Sequence, residues 1–486
     1  MIDLEARAPA TPSDLTGLTA DSRAVRPGFL FAALPGTRVD GRAFIADAVA
    51  NGARWILAPE GTALPDEAAD AGARLIADAN PRRRFALMAA DFYARQPDTI
   101  AAVTGTAGKT SVAAYTRQIW RALGHEAASV GTLGVVTPGG ASYGGLTTPD
   151  PVALHASLAD LAAAGVTHLA MEASSHGLHQ YRLDGVRVGA AGFTNLSRDH
   201  LDYHPTMADY LAAKIRLFTE VLRPDGTGVV NVDSAEGRKV AEAARAAGRA
   251  VATYGETGEH LRLAGLEPHA DSLVLDIAID GAAHRATLPL VGTFQALNVL
   301  CALGLVLADP AVDRAAAVAA LGSLEGVRGR LEKVAETAEG APVFVDYAHK
   351  PGALEAVLTA LRPHAVGRLV VVFGCGGDRD KGKRPEMGEV AARLADRVIV
   401  TDDNPRTEDP ATIRAAVMAG CPGAREIGDR AEAIAAAIDG MAAGDVLVIA
   451  GKGHETGQIV GDTVRPFDDA AQAREAVAAV RARTDR

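Results

Sequence analysis

Three cysteines, far apart and odd in number, give this 486-residue chain no disulfide framework, and no C-x-x-C spacing offers a zinc site. Cys301, Cys375 and Cys421 therefore read as small buried or half-buried residues. A basic run is missing too. Lys plus Arg total 49 against 60 Asp plus Glu, a formal net charge of −11 and a poor balance for nucleic-acid binding. No apolar run reaches the roughly 20 residues of a membrane span. The longest, Ala296–Ala308, is short of that and contains Asn298. The opening M-I-D-L-E-A-R has acids where a secretory signal has a basic region. These absences lead to the expectation of a cytoplasmic protein with no nucleic-acid partner and no membrane insertion. Lysine is scarce as well. It occurs eight times against 41 arginines, at positions 109, 214, 239, 333, 350, 381, 383 and 452, so each lysine stands out.

What is present is the grammar of an α/β protein. Length alone suggests about three domains at ~150 residues each. Residues 1–98 mix short strands (G-F-L-F-A-A-L, A-R-W-I-L-A, A-R-L-I-A) with Ala-rich helical stretches. Residues 99–330 carry T-I-A-A-V-T-G-T, H-L-A-M-E-A-S, A-A-G-F-T-N-L and G-T-G-V-V-N-V, and residues 331–486 carry P-V-F-V-D-Y, R-L-V-V-V-F-G-C-G-G, R-V-I-V-T-D-D and D-V-L-V-I-A-G-K-G. Runs that are apolar throughout suit strands buried on both faces of a parallel sheet. The expected fold is three α/β domains in series: a central ATPase-like parallel sheet and a C-terminal Rossmann-like one behind an N-terminal domain. Ligands in such sheets bind beyond the carboxyl ends of the strands, and each polar motif here follows an apolar run.

In T-I-A-A-V-T-G-T-A-G-K-T-S, the residues Gly105, Thr106, Ala107, Gly108, Lys109, Thr110 and Ser111 lie between a strand and the helix V-A-A-Y-T-R-Q-I-W. A loop there cradles phosphates with backbone N–H groups at a helix N-terminus. Lys109 would reach the outer phosphates and Thr110 would coordinate magnesium. The full G-x-x-x-x-G-K-[ST] pattern needs Gly at 103, where the chain has Val103. Glu172 ends its strand either as a magnesium-holding acid or as an acid facing solvent. His176, His179, His200 and His204 lack the H-E-x-x-H spacing, and loop histidines are more often hydrogen-bonded structure than metal ligands.

T-G-T-A-G-K-T-S, M-E-A-S-S-H-G-L, T-N-L-S-R-D-H-L-D-Y-H, Y-L-A-A-K-I-R-L-F, F-Q-A-L-N, G-V-R-G-R-L-E, V-D-Y-A-H-K-P, G-C-G-G-D-R-D-K-G-K-R-P, D-D-N-P-R and G-K-G-H-E follow one another from Thr104 to Glu455. In this order they resemble the Mur ligases, and D-S-R with F-A-A-L-P-G-T-R-V-D-G extends the likeness to the first domain. Ala107 departs from the family's usual Asn. The resemblance implies ATP-dependent amide formation through an acyl phosphate in cell-wall precursor synthesis, with ATP as substrate and Mg2+ as cofactor. It implies Glu172, His200 and Thr110 near magnesium, Asn298, Arg330 and Asp346 at the nucleotide, and a carbamylated Lys214 as a further metal ligand; Lys109, His200 and Lys214 are the catalytic candidates. His349 beside Asp346 has no argued role. A UDP-sugar would meet Ser22, Thr37, Arg38 and Val39, which by themselves read as polar turns. Its muramoyl-dipeptide would meet Thr147, Thr148, Ser174, Gln180 and Arg182.

The incoming amino acid is expected to be 2,6-diaminopimelate, as the meso isomer, joined to UDP-N-acetylmuramoyl-L-alanyl-D-glutamate by a monomeric enzyme. Diaminopimelate differs from lysine in a far carboxylate, and the planar guanidinium of Arg406 in Asp403, Asn404, Pro405 and Arg406 supplies a fork of donors for one. By resemblance Arg379, Gly451 and Glu455 complete that pocket, although the tetrapeptide alone reads as a polar turn. Three other readings are weaker. Folylpolyglutamate synthase shares the loop but needs neither D-N-P-R nor a UDP domain. A dehydrogenase would need G-x-G-x-x-G where the chain has G-C-G-G-D. A non-enzymatic nucleotide-binding regulator would not hydrolyse ATP in response to an amino acid.

Overall fold

The computed structural model describes residues 11–36, 39–142, 145–269 and 271–484. The chain forms two compact units, Met1–Thr253 with Gly304–Pro310, and Tyr254–Leu303 with Ala311–Arg486.

The first unit opens with β1 (Gly17–Thr19), β2 (Phe29–Ala32), β3 (Trp55–Pro59) and β4 (Arg74–Asp78), an all-parallel sheet in the order 1-2-3-4. It continues with β5 (Thr99–Thr104), β6 (Ala127–Gly131), β7 (Gly134–Thr137), β8 (Gly140–Ser142), β9 (His168–Glu172), β10 (Val188–Phe193) and β11 (Leu222–Asn231), side by side in the order 11-10-5-9-6-7-8. Strand β5 is central, pairing in parallel with β9 and β10. Ile100, Ala101, Ala102 and Val103 on it are all buried, as an apolar run under helices on both faces requires. The four runs expected in this region are β5, β9, β10 and β11, and the three expected in the first 98 residues end up in β2, β3 and β4.

The second unit contains the end of β12 (Ala250–Gly255), then β13 (Leu261–Pro268), β14 (Leu273–Ile279) and β15 (Ala282–Leu288), of which the last three form an antiparallel meander. Along β14, Leu273, Leu275, Ile277 and Ile279 are buried, and the residues between them are half-buried, the period-two pattern of a sheet covered on one face. Its other sheet runs β16 (Glu332–Glu336), β17 (Pro342–Asp346), β21 (Val446–Ala450), β18 (Leu369–Phe373), β19 (Arg397–Val400) and β20 (Arg425–Glu426), parallel except for β16. A hairpin, β22 (Gly457–Val460) and β23 (Thr463–Pro466), follows β21. All three cysteines are buried. No helix among the described residues is long and apolar enough to cross a membrane.

Candidate functional site

The loop after β5 is shaped by two glycines. Gly105 has φ +155, and a Cβ there would lie 1.8 Å from Thr194 Oγ1; Gly108 has φ +88 and caps the helix Lys109–Ala122. The segment after β10 staples the loop. Thr106 N–H donates to Asn195 O (3.0 Å), Ala107 N–H donates to Asn195 Oδ1 (2.9 Å), and Thr194 Oγ1 donates to Ala107 O (2.7 Å). The Thr106 and Ala107 amides are thus taken up by Asn195. Lys109 Nζ folds back onto the carbonyls of Gly105 (2.9 Å) and Thr106 (3.0 Å). Thr110 and Ser111 are buried in the first turn.

Lys214 converges on the same point. It lies on the helix Met207–Arg216, which continues as a π-helical turn, Leu217–Val221. Its side chain is buried, Nζ donates to Gly105 O at 2.8 Å, and the ammonium stands 4.3 Å from the Tyr210 ring centroid. Burial first, and then the neighbouring Lys109 charge, hold its pKa well below the ordinary lysine range. Arg216 anchors the end of this helix, donating to both Asp184 oxygens (2.7 and 2.8 Å) and to Leu178 O.

Glu172 is 2% exposed, so it does not face solvent. Its Oε1 accepts from Thr132 N–H (2.7 Å) and its Oε2 from the Thr132 hydroxyl (3.2 Å), while Thr132 also meets the Thr147 hydroxyl at 3.1 Å. Of the five residues expected at the muramoyl-dipeptide, Thr147 reaches this carboxylate through Thr132, and the other four are linked to one another and to the Glu172 backbone. Thr148 Oγ1 donates to Glu172 O and accepts from Ser174 N–H, both at 3.0 Å. Arg182 donates to Thr148 O and to Gln180 Oε1, both at 2.8 Å, and Gln180 Nε2 reaches the Tyr203 hydroxyl. The four histidines also gather. His176 lies 4.8 Å from His200, 4.0 Å from Tyr203 and 5.7 Å from His204 between ring centroids. Burial above all, with neighbouring histidines, lowers His176 and His204 to about 4. His200 has φ +52, its N–H held by Asp199 Oδ1. Among the described residues no three His, Cys, Asp or Glu gather so as to hold a metal ion.

In the first sheet's loops, Ser22 begins a short turn capped by Asp21, and its carbonyl accepts from Asn51 Nδ2. Val39 is exposed. Thr37 and Arg38 lie outside the described residues.

In the second unit three motifs meet. Tyr347 N–H donates to Gly329 O, Arg330 stacks over the Tyr347 ring at 4.7 Å, and Tyr347 lies 5.2 Å from the His454 ring. Gly329 has φ +65, and a Cβ on it would lie 2.2 Å from His454 N. Asp346 ends β17 buried; its Oδ2 accepts from Leu331 N–H (2.7 Å), and burial raises it to about 6 against the opposing pull of Arg330. Asn298 is buried, with Nδ2 on Gln295 Oε1. His349, lowered to about 4 by burial, accepts Lys383 Nζ on its carbonyl at 2.7 Å.

The turn after β19 meets the turn after β21. Arg406 has φ +52, unusual for a side chain of its size, and the hairpin holds it there. Arg406 N–H donates to Ile459 O (3.0 Å), its carbonyl accepts from Gly461 N–H (2.7 Å), and Nη1 donates to Gly377 O (2.7 Å). Gly377 N–H in turn donates to Asn404 O. Pro405 is buried and Arg379 is exposed. Asn404 Nδ2 donates to Glu455 Oε2 (2.9 Å), and Lys452 Nζ donates to Asn404 Oδ1 (3.0 Å) and Glu455 Oε2 (3.2 Å). Asp403 is buried with Oδ2 unpaired, and a Cβ on Gly451 (φ +118) would lie 2.7 Å from that atom. Asp403, Asn404, Arg406, Gly451 and Glu455 are therefore brought together. Thr132, Asn195, Tyr203 and Lys452 were not among the expected site residues. Only Lys452 had a signal in the sequence, through the rarity of lysine.

Three family models match the chain: "Mur ligase family, catalytic domain" over residues 14–93, "Mur ligase middle domain" over 103–306 and "Mur ligase, glutamate ligase domain" over 329–453. Two curated relatives are named UDP-N-acetylmuramoyl-L-alanyl-D-glutamate–2,6-diaminopimelate ligase. The Bradyrhizobium diazoefficiens protein is 56% identical over 473 residues, 96% of this chain and 94% of its own. That of Agrobacterium fabrum is 54% identical over 465 residues, with the same coverage. A solved structure under the same enzyme name matches with TM-score 0.71 and 35% identity, covering 98% of this chain and 97% of its own.

Proposed function

The chain belongs to the Mur ligase family, and from that premise we propose that it joins meso-2,6-diaminopimelate to UDP-N-acetylmuramoyl-L-alanyl-D-glutamate at the expense of ATP, in cytoplasmic peptidoglycan precursor synthesis, as a monomer. Residues 1–98 serve the UDP-sugar, 99–330 the ATP and 331–486 the amino acid. The observation that carries the substrate assignment is the turn after β19, where Arg406 offers a guanidinium for the far carboxylate while Asn404, two residues before it, is bonded to Glu455, a carboxylate for the far ammonium.

The chemistry has two steps. A D-Glu carboxylate oxygen attacks the γ-phosphorus of ATP, the bond to the bridging oxygen breaks, and ADP leaves. The amine of diaminopimelate then attacks the acyl phosphate carbon; the C–O bond breaks, phosphate leaves and the amine sheds a proton. The first step gathers negative oxygens, and the helix N-terminus at Gly108 and the Lys109 ammonium supply positive charge where they gather. Arg330, Asn298 and Asp346 serve the nucleotide, and Ser22, Thr37, Arg38 and Val39 the uridine diphosphate. Thr147, Thr148, Ser174, Gln180 and Arg182 hold the dipeptide, their network leaving Arg182 committed to Thr148 and Gln180.

Thr110 and Glu172, both buried, carry hard oxygen donors of the type magnesium selects, and an ion that arrives with phosphates would need few protein ligands. By resemblance His200 would join them, and magnesium held there would supply charge to the phosphate oxygens. Lys214 is suited to carbamylation because its lowered pKa favours the neutral amine, the form that attacks CO2 with loss of one proton. The carbamate, an anion, would offer further oxygen ligands to the ion.

With the D-Glu side-chain carboxylate labelled by 18O, incubation with ATP and diaminopimelate should transfer one labelled oxygen to the released phosphate and yield the UDP-tripeptide by mass. Phosphate release without label transfer contradicts the acyl phosphate.

A further inference from the structure

Lysine is almost never fully buried unless it is paired. The Lys452 side chain has no exposed surface, and its partners are two residues of the amino-acid pocket, Asn404 and Glu455. We propose that Lys452 is a positioning residue for the incoming amino acid, its ammonium fixing the Asn404 amide and the Glu455 carboxylate in the orientation with which they meet the substrate's far end. This rests on the assignment of that pocket to diaminopimelate.

The hydrogen bonds leave little freedom. Asn404 Oδ1 accepts from both Lys452 Nζ and Ile459 N–H (2.9 Å), which forces Nδ2 toward Glu455 Oε2. A flipped amide would set its NH2 against two donors and lose all three bonds. Glu455 Oε2 is then occupied twice, by Asn404 and Lys452. Oε1 accepts from no described residue, and the side chain is 34% exposed. One oxygen is anchored in the protein and the other is presented outward, the arrangement that a ligand ammonium needs. Lys452 is itself fixed by its place in the turn after β21, where its carbonyl accepts from Glu455 N–H (3.0 Å). An arginine would not serve, because the space between Asn404 Oδ1 and Glu455 Oε2 takes a compact ammonium on a buried stem, not a planar fork. That a chain with 41 arginines keeps a lysine here agrees with this requirement.

The test compares Lys452→Met, Lys452→Gln, Glu455→Gln, Arg406→Ala and the double variant Lys452→Met/Glu455→Gln, measuring KM separately for diaminopimelate, ATP and the UDP-dipeptide. Either Lys452 variant should raise KM for diaminopimelate at least tenfold, with the other two KM values within twofold of wild type. The double variant should be no worse than Glu455→Gln, since Lys452 acts through that carboxylate. Uniform rises in all three KM values, additive losses in the double variant, or failure of both Lys452 variants to fold would each make Lys452 a merely structural residue and overturn the proposal. An unchanged diaminopimelate KM in Arg406→Ala overturns the pocket assignment and this inference with it. A raised KM there beside an unchanged one in Lys452→Met overturns the inference alone.

Discussion

Lys109 and Lys214 both donate to one carbonyl, that of Gly105, and burial together with the Lys109 charge lowers the pKa of Lys214. Lys109→Ala removes one of them at a helix-opening position where Ala is well tolerated. Ligation should fall by at least ~10²–10³-fold, as for loss of a single charge-stabilising donor, with the circular dichroism spectrum unchanged. Near-normal turnover would contradict the phosphate-loop assignment. Lys214→Ala should be nearly inactive and partly recover with a small added carboxylic acid standing in for the carbamate; mass spectrometry of the intact, ATP-bound wild type should find the added CO2. Asp346 offers a check by pH. Its folded value of about 6 lies above the ordinary 3.8 of the unfolded chain, because of burial. Between those values the unfolded chain has released a proton that the folded chain keeps, so stability falls as pH rises through the window and is level above it. At about 1.4 kcal/mol per unit, Asp346→Asn should gain about 3 kcal/mol relative to wild type between pH 3.8 and pH 7 in denaturant titrations. A parallel pH dependence in the two proteins would contradict the burial argument.

At the scale of elements, the site is made of turns at the carboxyl ends of parallel strands, and the turns are tied to one another rather than to solvent. Arg430 shows how. It opens the helix Arg430–Asp439 with no exposed surface, pairs with the equally buried Asp469 through two bonds of 2.7 Å, and donates to the carbonyls of Asp402 and Ala450 at the ends of β19 and β21. Asp469→Asn leaves a buried guanidinium without its counter-charge and should cost about 3–5 kcal/mol in equilibrium unfolding. A loss under 1 kcal/mol would mean that water replaces the carboxylate.

These elements were unequally legible. Strands β5, β9, β10, β17, β18, β19 and β21 are legible because burial on both faces makes their middles apolar, and the polar motif after each marks where it stops. The meander β13–β15 alternates weakly and was not read as strands. The hairpin β22–β23 is short and half-exposed or exposed, with no apolar run, although it holds Arg406 at positive φ. Residues were legible where chemistry restricts the type, as with Lys109 and Arg406. Asn195 and Thr132 act by holding another residue's backbone or carboxylate, a role fixed by the fold and invisible along the chain. The spacing of the histidines suggests loop structure, with a role for His200 only by resemblance, and their gathering around Tyr203 joins two segments some 25 residues apart, which spacing alone does not reveal.

For the whole molecule, the central claim is that the second unit selects its amino acid by the far carboxylate. Arg406 is half-buried, its guanidinium tied on one side to Gly377 O. Left without a substrate carboxylate it costs at least about 2 kcal/mol, the low end for a broken charge pair. At 1.4 kcal/mol per tenfold this amounts to ~30-fold discrimination. The decisive measurement is kcat/KM for meso-diaminopimelate and for L-lysine in the wild type and in Arg406→Ala. The account predicts that the wild type prefers diaminopimelate by at least ~30-fold and that most of this preference disappears in the variant. Equal use of lysine by the wild type, or an undiminished preference in Arg406→Ala, would contradict it.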